Sequence, residues 1–206
     1  MSPLEAWLYL DQMDLSPYWP ETAPIPWDIF SARFKAGTVT LEDFSFLSAQ
    51  QIHAFRIALD PQSYLPSIPS IDVPHPIASD LFALNEPDEN ALVLVTSNSR
   101  LTFDVLTALW AQGITPAYFL LVDCLGSTVD MAMIYGHFTS ERLQRALEES
   151  DLGSHVGHRN LIVPGLTDSL VEDFRKITGW EVEVGPVCAA EIPLFLGDRW
   201  IPPDQA

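Results

Sequence analysis

The chain has 206 residues, 48% of them hydrophobic and 18% charged, which is ample for a packed core and unlike a disordered chain. Its formal net charge is −18, with 3 basic and 13 acidic residues in 1–90 and 7 and 15 in the remainder. No run of lysine or arginine breaks this balance. Nucleic acid, bound largely through phosphate neutralisation, is therefore excluded as an expected partner, and an anionic membrane surface is disfavoured.

No segment approaches the roughly 20 apolar residues of a membrane span. The run Ala117–Val122 has the length of a buried strand. Met1–Leu10 contains Glu5, lacks a basic start and shows no small-residue cleavage site, so no secretory signal is read there. Cys124 and Cys188 are the two cysteines, too few for an iron–sulfur cluster, which takes about four thiolates, and no disulfide framework. A cytoplasmic protein without an iron–sulfur cluster is expected.

Residues 1–84 have their own texture and are read as an N-terminal helical and extended region. Prolines 17, 20, 24 and 26 crowd Trp19 and Trp27. Thr40 with Asp43, and Ser48 with Gln51, have the spacing of helix capping boxes ahead of Ile52, Phe55, Ile57 and Leu59. Prolines 61, 66, 69, 74 and 76 exclude a regular helix and predict an extended tether lying on a surface.

From residue 85 to 206 the rhythm is β-α. Strands are predicted at Leu92–Thr96, Ala117–Asp123, Thr128–Met133, Leu161–Val163 and Glu181–Val184. Helices are predicted at Leu101–Gln112, from a Thr139 cap to Glu149, at Thr167–Ile177 and near Ala189–Phe195. The fold class is α/β: a Rossmann-like, largely parallel sheet of about five strands with helices on both faces. Ligands bind at the carboxyl ends of strands in such sheets. Here those ends carry Gly-Pro or Pro-Gly turns at Pro164–Gly165 and Gly185–Pro186.

Five pieces in fixed order carry a resemblance: NEPDENALVLVTSNSRLT (Asn85–Thr102), AYFLLVDCLGSTVDMAM (Ala117–Met133), GHFT (Gly136–Thr139), HRNLIVPGL (His158–Leu166) and TGWEVEVGPVCAAEIPLFL (Thr178–Leu196). Together they resemble the corrinoid-binding domain of the corrinoid iron–sulfur protein large subunit and of the acetyl-CoA decarbonylase/synthase gamma subunit. They are also similar to the soluble domain of the mercury-methylation corrinoid protein. The resemblance implies a cobamide, cobalamin or a relative, held with its lower base detached and used as a methyl carrier. It implies as partners a TIM-barrel methyltransferase or the corrinoid-protein small subunit, and a separate reductive activator. It covers Asn85–Leu196 and leaves the earlier residues without a counterpart.

The resemblance also implies the site. Thr128–Met133, with Val129, Asp130, Met131 and Ala132, lies beneath the corrin. The turn containing Thr96, Ser97, Asn98 and Thr102 helps surround the ring, as do the loop Pro164, Gly165 and Leu166 and the turn Gly185, Pro186, Cys188 and Ala189. Gly126, Ser127 and Ala132 are small enough for close backbone approach. Gly136 permits the turn that carries His137 and Phe138. The mercury-methylation protein has a cysteine where Met131 aligns, and it has membrane helices, so mercury methylation is not expected here.

Several residues keep two readings. Read as a strand, 128–133 turns Asp130 and Met131 to opposite faces, and a one-residue register shift exchanges them. Met131 is taken as a non-coordinating neighbour of cobalt. His137 is either a cobalt ligand or part of the turn and cap before the next helix. Cys188, at a helix start, is either activated or buried and inert. His155 and His158 have an i, i+3 spacing, but Gly153 and Gly157 argue against a zinc pair. No hydrolase triad, phosphate-cradling glycine loop or HExxH motif is present. The alternatives to methyl carriage are a non-catalytic interaction module and a cobamide chaperone. They are separated by whether Trp19 and Trp27 fill the strand-end cradle.

Overall fold

The computed structural model describes residues 13–67 and 73–203. At its centre is a five-stranded sheet of β1 (Leu81–Leu84), β2 (Leu92–Ser97), β3 (Ala117–Val122), β4 (Asn160–Val163) and β5 (Glu181–Val184), in the order β1-β3-β2-β4-β5. The pairs β2·β3, β2·β4 and β4·β5 are parallel, and β1 joins β3 antiparallel, with Leu81 opposite Leu120 and Leu84 opposite Ala117. The predicted α/β class with a largely parallel sheet is therefore observed.

Both faces of the sheet are covered, so its central strands are apolar over most of their length. Alternate residues Val93 and Val95 of β2 and Tyr118 and Leu120 of β3 join one core. Helices α5 (Ser140–Glu149), α6 (Leu152–His155) and α7 (Val171–Thr178) cover it through Leu143, Leu147, Leu152, Val171 and Phe174. Leu94, Phe119 and Leu121 face the other side, against Leu106, Leu109 and Trp110 of α3 (Arg100–Trp110) and Ile192 and Leu196 of α8 (Ile192–Leu196).

Capping places several helix starts. Ser99 Oγ accepts the Thr102 amide at 3.4 Å, and Thr139 Oγ1 accepts the Arg142 amide at 3.3 Å. At Ser48 the reciprocal box forms, with Gln51 N donating to Ser48 Oγ at 3.1 Å and Ser48 N to Gln51 Oε1 at 3.0 Å. The predicted Thr40–Asp43 relationship also forms, Thr40 N donating to Asp43 Oδ2 at 2.7 Å.

The N-terminal residues build an aromatic core of their own between α1 (Trp27–Lys35) and α2 (Ala49–Leu59). Trp19 is its hub, with ring centres of Phe30 at 4.3 Å and Trp27 at 5.5 Å. Leu194 of α8 belongs to this cluster, while Ile57 of α2 belongs to the core beneath α3. Tyr64 and Leu65 pack against the same core as Ile57, and Gln50 Nε2 donates to the Gly197 carbonyl at 2.7 Å, so the two cores are joined at several points. The predicted tether makes one 3-10 turn at Pro61–Ser63, and its prolines 74 and 76 are exposed. Pro69 lies outside the described residues.

One predicted element is wrong. Thr128–Met133 is not a strand. It contains the short helix α4 (Val129–Ile134), followed by His137 and Phe138, whose amides return to the Ala132 carbonyl. An apolar run of this length has no periodicity long enough to separate strand from helix. The turn before it decides the outcome. Leu125 and Gly126 both take left-handed backbone, at φ 59° and 77°, and Thr128 is extended with its carbonyl already accepting the Ala132 amide at 2.8 Å. The fifth strand is supplied instead by β1, ahead of residue 85.

Candidate functional site

The parallel strands β2, β3, β4 and β5 end at Ser97, Val122, Val163 and Val184, so the loops after them share one edge of the sheet. This edge gathers all the segments implied by the resemblance. Their side chains divide into those used inside the fold and those left facing outward.

Helix α4 is the clearest case. Val129 and Ala132 are buried in the core beneath the helix, and Met133 packs against that core. Ile134 is exposed, and Met131 lies with it on the opposite side of the helix, at 100° per residue. The strand reading, with Asp130 and Met131 on opposite faces, is replaced by a helix that turns Met131 and Ile134 outward together and leaves Asp130 on the flank. Phe138 is buried, its ring centre 6.1 Å from Phe174.

The loops after β4 and β5 are joined through their backbones. Gly165 N donates to the Pro186 carbonyl at 3.1 Å, and Gly185 N to the Val163 carbonyl at 2.8 Å. A side chain at Gly165 would place its Cβ 2.7 Å from the Gly185 oxygen, so glycine is required for this approach. Pro164 accepts both the amide and the hydroxyl of Thr167, at 2.9 and 2.8 Å, and Leu166 is left exposed. On the neighbouring turn Val187 is exposed, while Ala189 packs toward the α3 side of the core.

The loop after β3 is closed by a strap that has no motif of its own. His75 N donates to the Gly126 carbonyl at 3.1 Å, Arg100 N to the His75 carbonyl at 2.9 Å, and Ile77 N to the Asn98 carbonyl at 3.0 Å. Asn98 is buried between strap and loop, where its side chain reaches both. Thr96, Ser97 and Ser127 are buried as well, whereas Thr102 and Thr128 are half-buried. His75, Ile77, Ser99 and Asp123 complete this network and were not among the predicted site residues. The proline at 76 was visible, but nothing near it indicated which strand ends it would cross.

Of the eight large apolar side chains exposed among the described residues, five belong to this edge: Leu125, Ile134, Tyr135, Leu166 and Val187. Two buried polar side-chain atoms lack a partner among the described residues, and both are on predicted site residues: Ser97 Oγ and His137 Nδ1. Buried polar atoms are seldom left unpaired. Trp19 and Trp27 do not supply the missing cover, since both belong to the N-terminal aromatic core.

The thiols are not activated. Burial pushes Cys124 up to about 12 and raises Cys188 despite backbone hydrogen bonds from Ala190 and Glu191. Beside Cys188, burial and then the Asp14 charge push the Glu191 carboxyl up to about 7. His158 is a staple at the opposite edge of the sheet: Asn160 N donates to its Nδ1 at 3.2 Å, so Nε2 is the donor to the Ala91 carbonyl at 3.0 Å. A groove of about 370 Å³ at that edge is lined by His158, Asn160, Glu181 and Arg199, outside the predicted site. No helix among the described residues is long and apolar enough to cross a membrane.

With the geometry in place, comparison with known proteins is informative. Residues 67–196 match the family described as CO dehydrogenase/acetyl-CoA synthase delta subunit. The acetyl-CoA decarbonylase/synthase complex subunit gamma of Methanopyrus kandleri is 33% identical over 123 residues, covering 60% of this chain and 27% of that protein. The corrinoid/iron-sulfur protein large subunit of Moorella thermoacetica is 32% identical over 123 residues, covering 60% and 28%. Subunit gamma 2 of Methanosarcina thermophila is 31% identical over 205 residues, covering 97% of this chain and 41% of that protein. The chain thus spans between about a quarter and two-fifths of these relatives' lengths. The similarity begins well before Asn85, where the resemblance had placed its start. The matched residues thus include the strap and β1.

Proposed function

Since this chain belongs to the CO dehydrogenase/acetyl-CoA synthase delta subunit family, we propose that it binds a cobamide at the carboxyl edge of its sheet and serves as a methyl carrier. The observation that carries this reading is the outward face of α4, where Met131 and Ile134 stand amid the exposed Leu125, Tyr135, Leu166 and Val187. A corrin is a broad, largely apolar disc fringed with amides. An apolar rim set on loops with close backbone approach fits such a disc, as does the unpaired His137 Nδ1.

In this reading Met131, as a non-coordinating neighbour, and Ile134 would face a cobamide bound with its lower base detached. Pro164–Leu166, Gly185–Ala189 and His137 would help hold it. When bound, the cobamide supplies a cobalt centre able to accept and release a methyl group. The protein's residues orient the ring, restrict water beneath it and leave the other face to a partner. That partner is a TIM-barrel methyltransferase or a corrinoid-protein small subunit, with a separate protein restoring oxidised cobalt, in a reducing cytoplasm. Residues 85–206 are read as the binding unit, and the described residues before them support it from the α8 side, through the strap and with β1.

The test is direct. The purified protein, mixed with hydroxocobalamin, freed of excess ligand by gel filtration and scanned in the visible range, should retain a base-off spectrum. Elution without corrinoid would leave an interaction module as the remaining reading. Retention without methyl transfer from a methylated donor would identify a chaperone.

A further inference from the structure

We infer that Asn98 is the positioning residue of the carboxyl edge: its amide touches no ligand and sets the shape of the loop from which α4 starts. This rests on the cobamide reading above. Every hydrogen-bonding position of the side chain is used within the protein. Oδ1 accepts from Cys124 N at 2.8 Å and from Gly126 N at 3.0 Å, both after β3. Nδ2 donates to the Ile77 carbonyl of the strap at 3.1 Å and to Asp123 Oδ1 at 3.4 Å. The reversed amide would aim an NH2 group at two N–H donors, so this orientation is the one the surroundings allow.

The backbone of the same residue is committed too. Asn98 N donates to the Val122 carbonyl at 2.9 Å, and its carbonyl accepts Ile77 N at 3.0 Å. One residue therefore ties the end of β2, the loop after β3 and the strap. Gly126 lies two residues before Thr128, the N-cap of α4, so the two bonds to Oδ1 fix the backbone that aims Met131 outward. Only an amide meets these demands at once, with two accepting lone pairs on one side and two N–H donors on the other. A carboxylate keeps the acceptors and loses the donors, and leucine loses both.

The same logic yields a test that separates positioning from mere structure. The probe is cobinamide, which lacks the nucleotide base and so has no base-on equilibrium of its own. At pH 8 Asn98→Asp loses both donor bonds and sets a carboxylate beside Asp123. Cobinamide affinity should fall at least about tenfold there, the loss equivalent to roughly 1.4 kcal/mol. Lowering the pH to 5 moves the introduced carboxyl toward its protonated form, in which one O–H replaces one of the two lost donors, so part of the affinity should return. The charged or titratable groups around that position are Asp123 with Arg142, Cys124, and His75 and Arg100 at the strap. Asn98→Leu should bind weakly at both pH values, each variant being compared with the unmodified protein at the same pH.

Hydrogen exchange without corrinoid supplies the second readout. The amides of Ile77, Cys124 and Gly126 should exchange faster in Asn98→Asp at pH 8 than at pH 5, relative to the unmodified protein. Asp123→Ala, at an exposed position, should weaken cobinamide binding a few-fold by removing one of the four partners together with the acceptor of the Leu125 amide and the Arg142 ion pair. Full affinity in that variant, or in Asn98→Asp at pH 8, would overturn the assignment. Equal loss at both pH values in Asn98→Asp would do the same by making the role structural only. Failure of the unmodified protein to bind cobinamide would instead remove the cobamide reading, and the assignment with it.

Discussion

Pro76 lies so close against Gly126 that a Cβ at 126 would be 2.6 Å from the proline Cδ, and 2.7 Å from the His75 carbonyl carbon. Gly126 also has φ 77°, a conformation costly for any residue with a side chain. Gly126→Ala should therefore destabilise the fold by about 2 kcal/mol or more, measured by urea unfolding. Gly136 has φ 67° with nothing near its Cβ position, and the same substitution there should cost only the backbone strain, about 1 kcal/mol. Equal effects at the two sites would show that the strap does not press on the loop.

The two faces of α4 should respond oppositely to mutation. Met131→Ala removes an outward side chain and should change stability by less than about 0.5 kcal/mol, while altering the visible spectrum or affinity of bound cobalamin. Ala132→Leu forces volume into a filled core and should cost about 1–3 kcal/mol. Thermal melts together with absorption spectra of both variants check the pair.

Ile57 links the N-terminal helices to the sheet. It is fully buried beside Leu109 and Trp200, so Ile57→Ala should cost about 2–5 kcal/mol. Unfolding followed by tryptophan fluorescence and by far-UV circular dichroism should keep one coincident transition, because the shared core couples the two parts. Separate transitions would show that residues 13–67 fold on their own.

Stability should also depend on pH through Glu191. Its folded pKa, about 7, lies above its ordinary value of 4.5, so between these limits the folded protein binds more protons than the unfolded chain. That stabilisation is complete below about pH 4.5 and is lost as pH rises through about 7. Glu191→Gln should flatten this segment of the stability profile, measured by urea titrations between pH 5 and 8. An unchanged slope would place the effect elsewhere.

Much of the site's frame was legible in the residues themselves. The parallel strands were continuous apolar runs, and Thr139 and Ser48 announced helix starts by spacing alone. The turns at Pro164–Gly165 and Gly185–Pro186 follow β4 and β5, at the carboxyl edge of the parallel strands. What escaped were features set by tertiary contact. Val129–Ile134 was too short to declare its period, and only the left-handed Leu125–Gly126 turn makes it a helix. Leu81–Leu84 is read only within the N-terminal helical and extended region, and its strand character depends on pairing with β3. Asn98 is read as part of the turn around a ring, and its four internal hydrogen bonds reach the loop after β3 and the strap, all more than twenty residues away.

The central claim is that a cobamide lies on the loops at the carboxyl ends of the strands. Hydrogen–deuterium exchange of the protein with and without hydroxocobalamin, under anaerobic reducing conditions, tests it most directly. The account predicts slowed exchange at residues 126–137, 164–166 and 185–189, with no change at 157–160 on the opposite edge. Protection confined to 157–160, or none anywhere while corrinoid is retained, would contradict it.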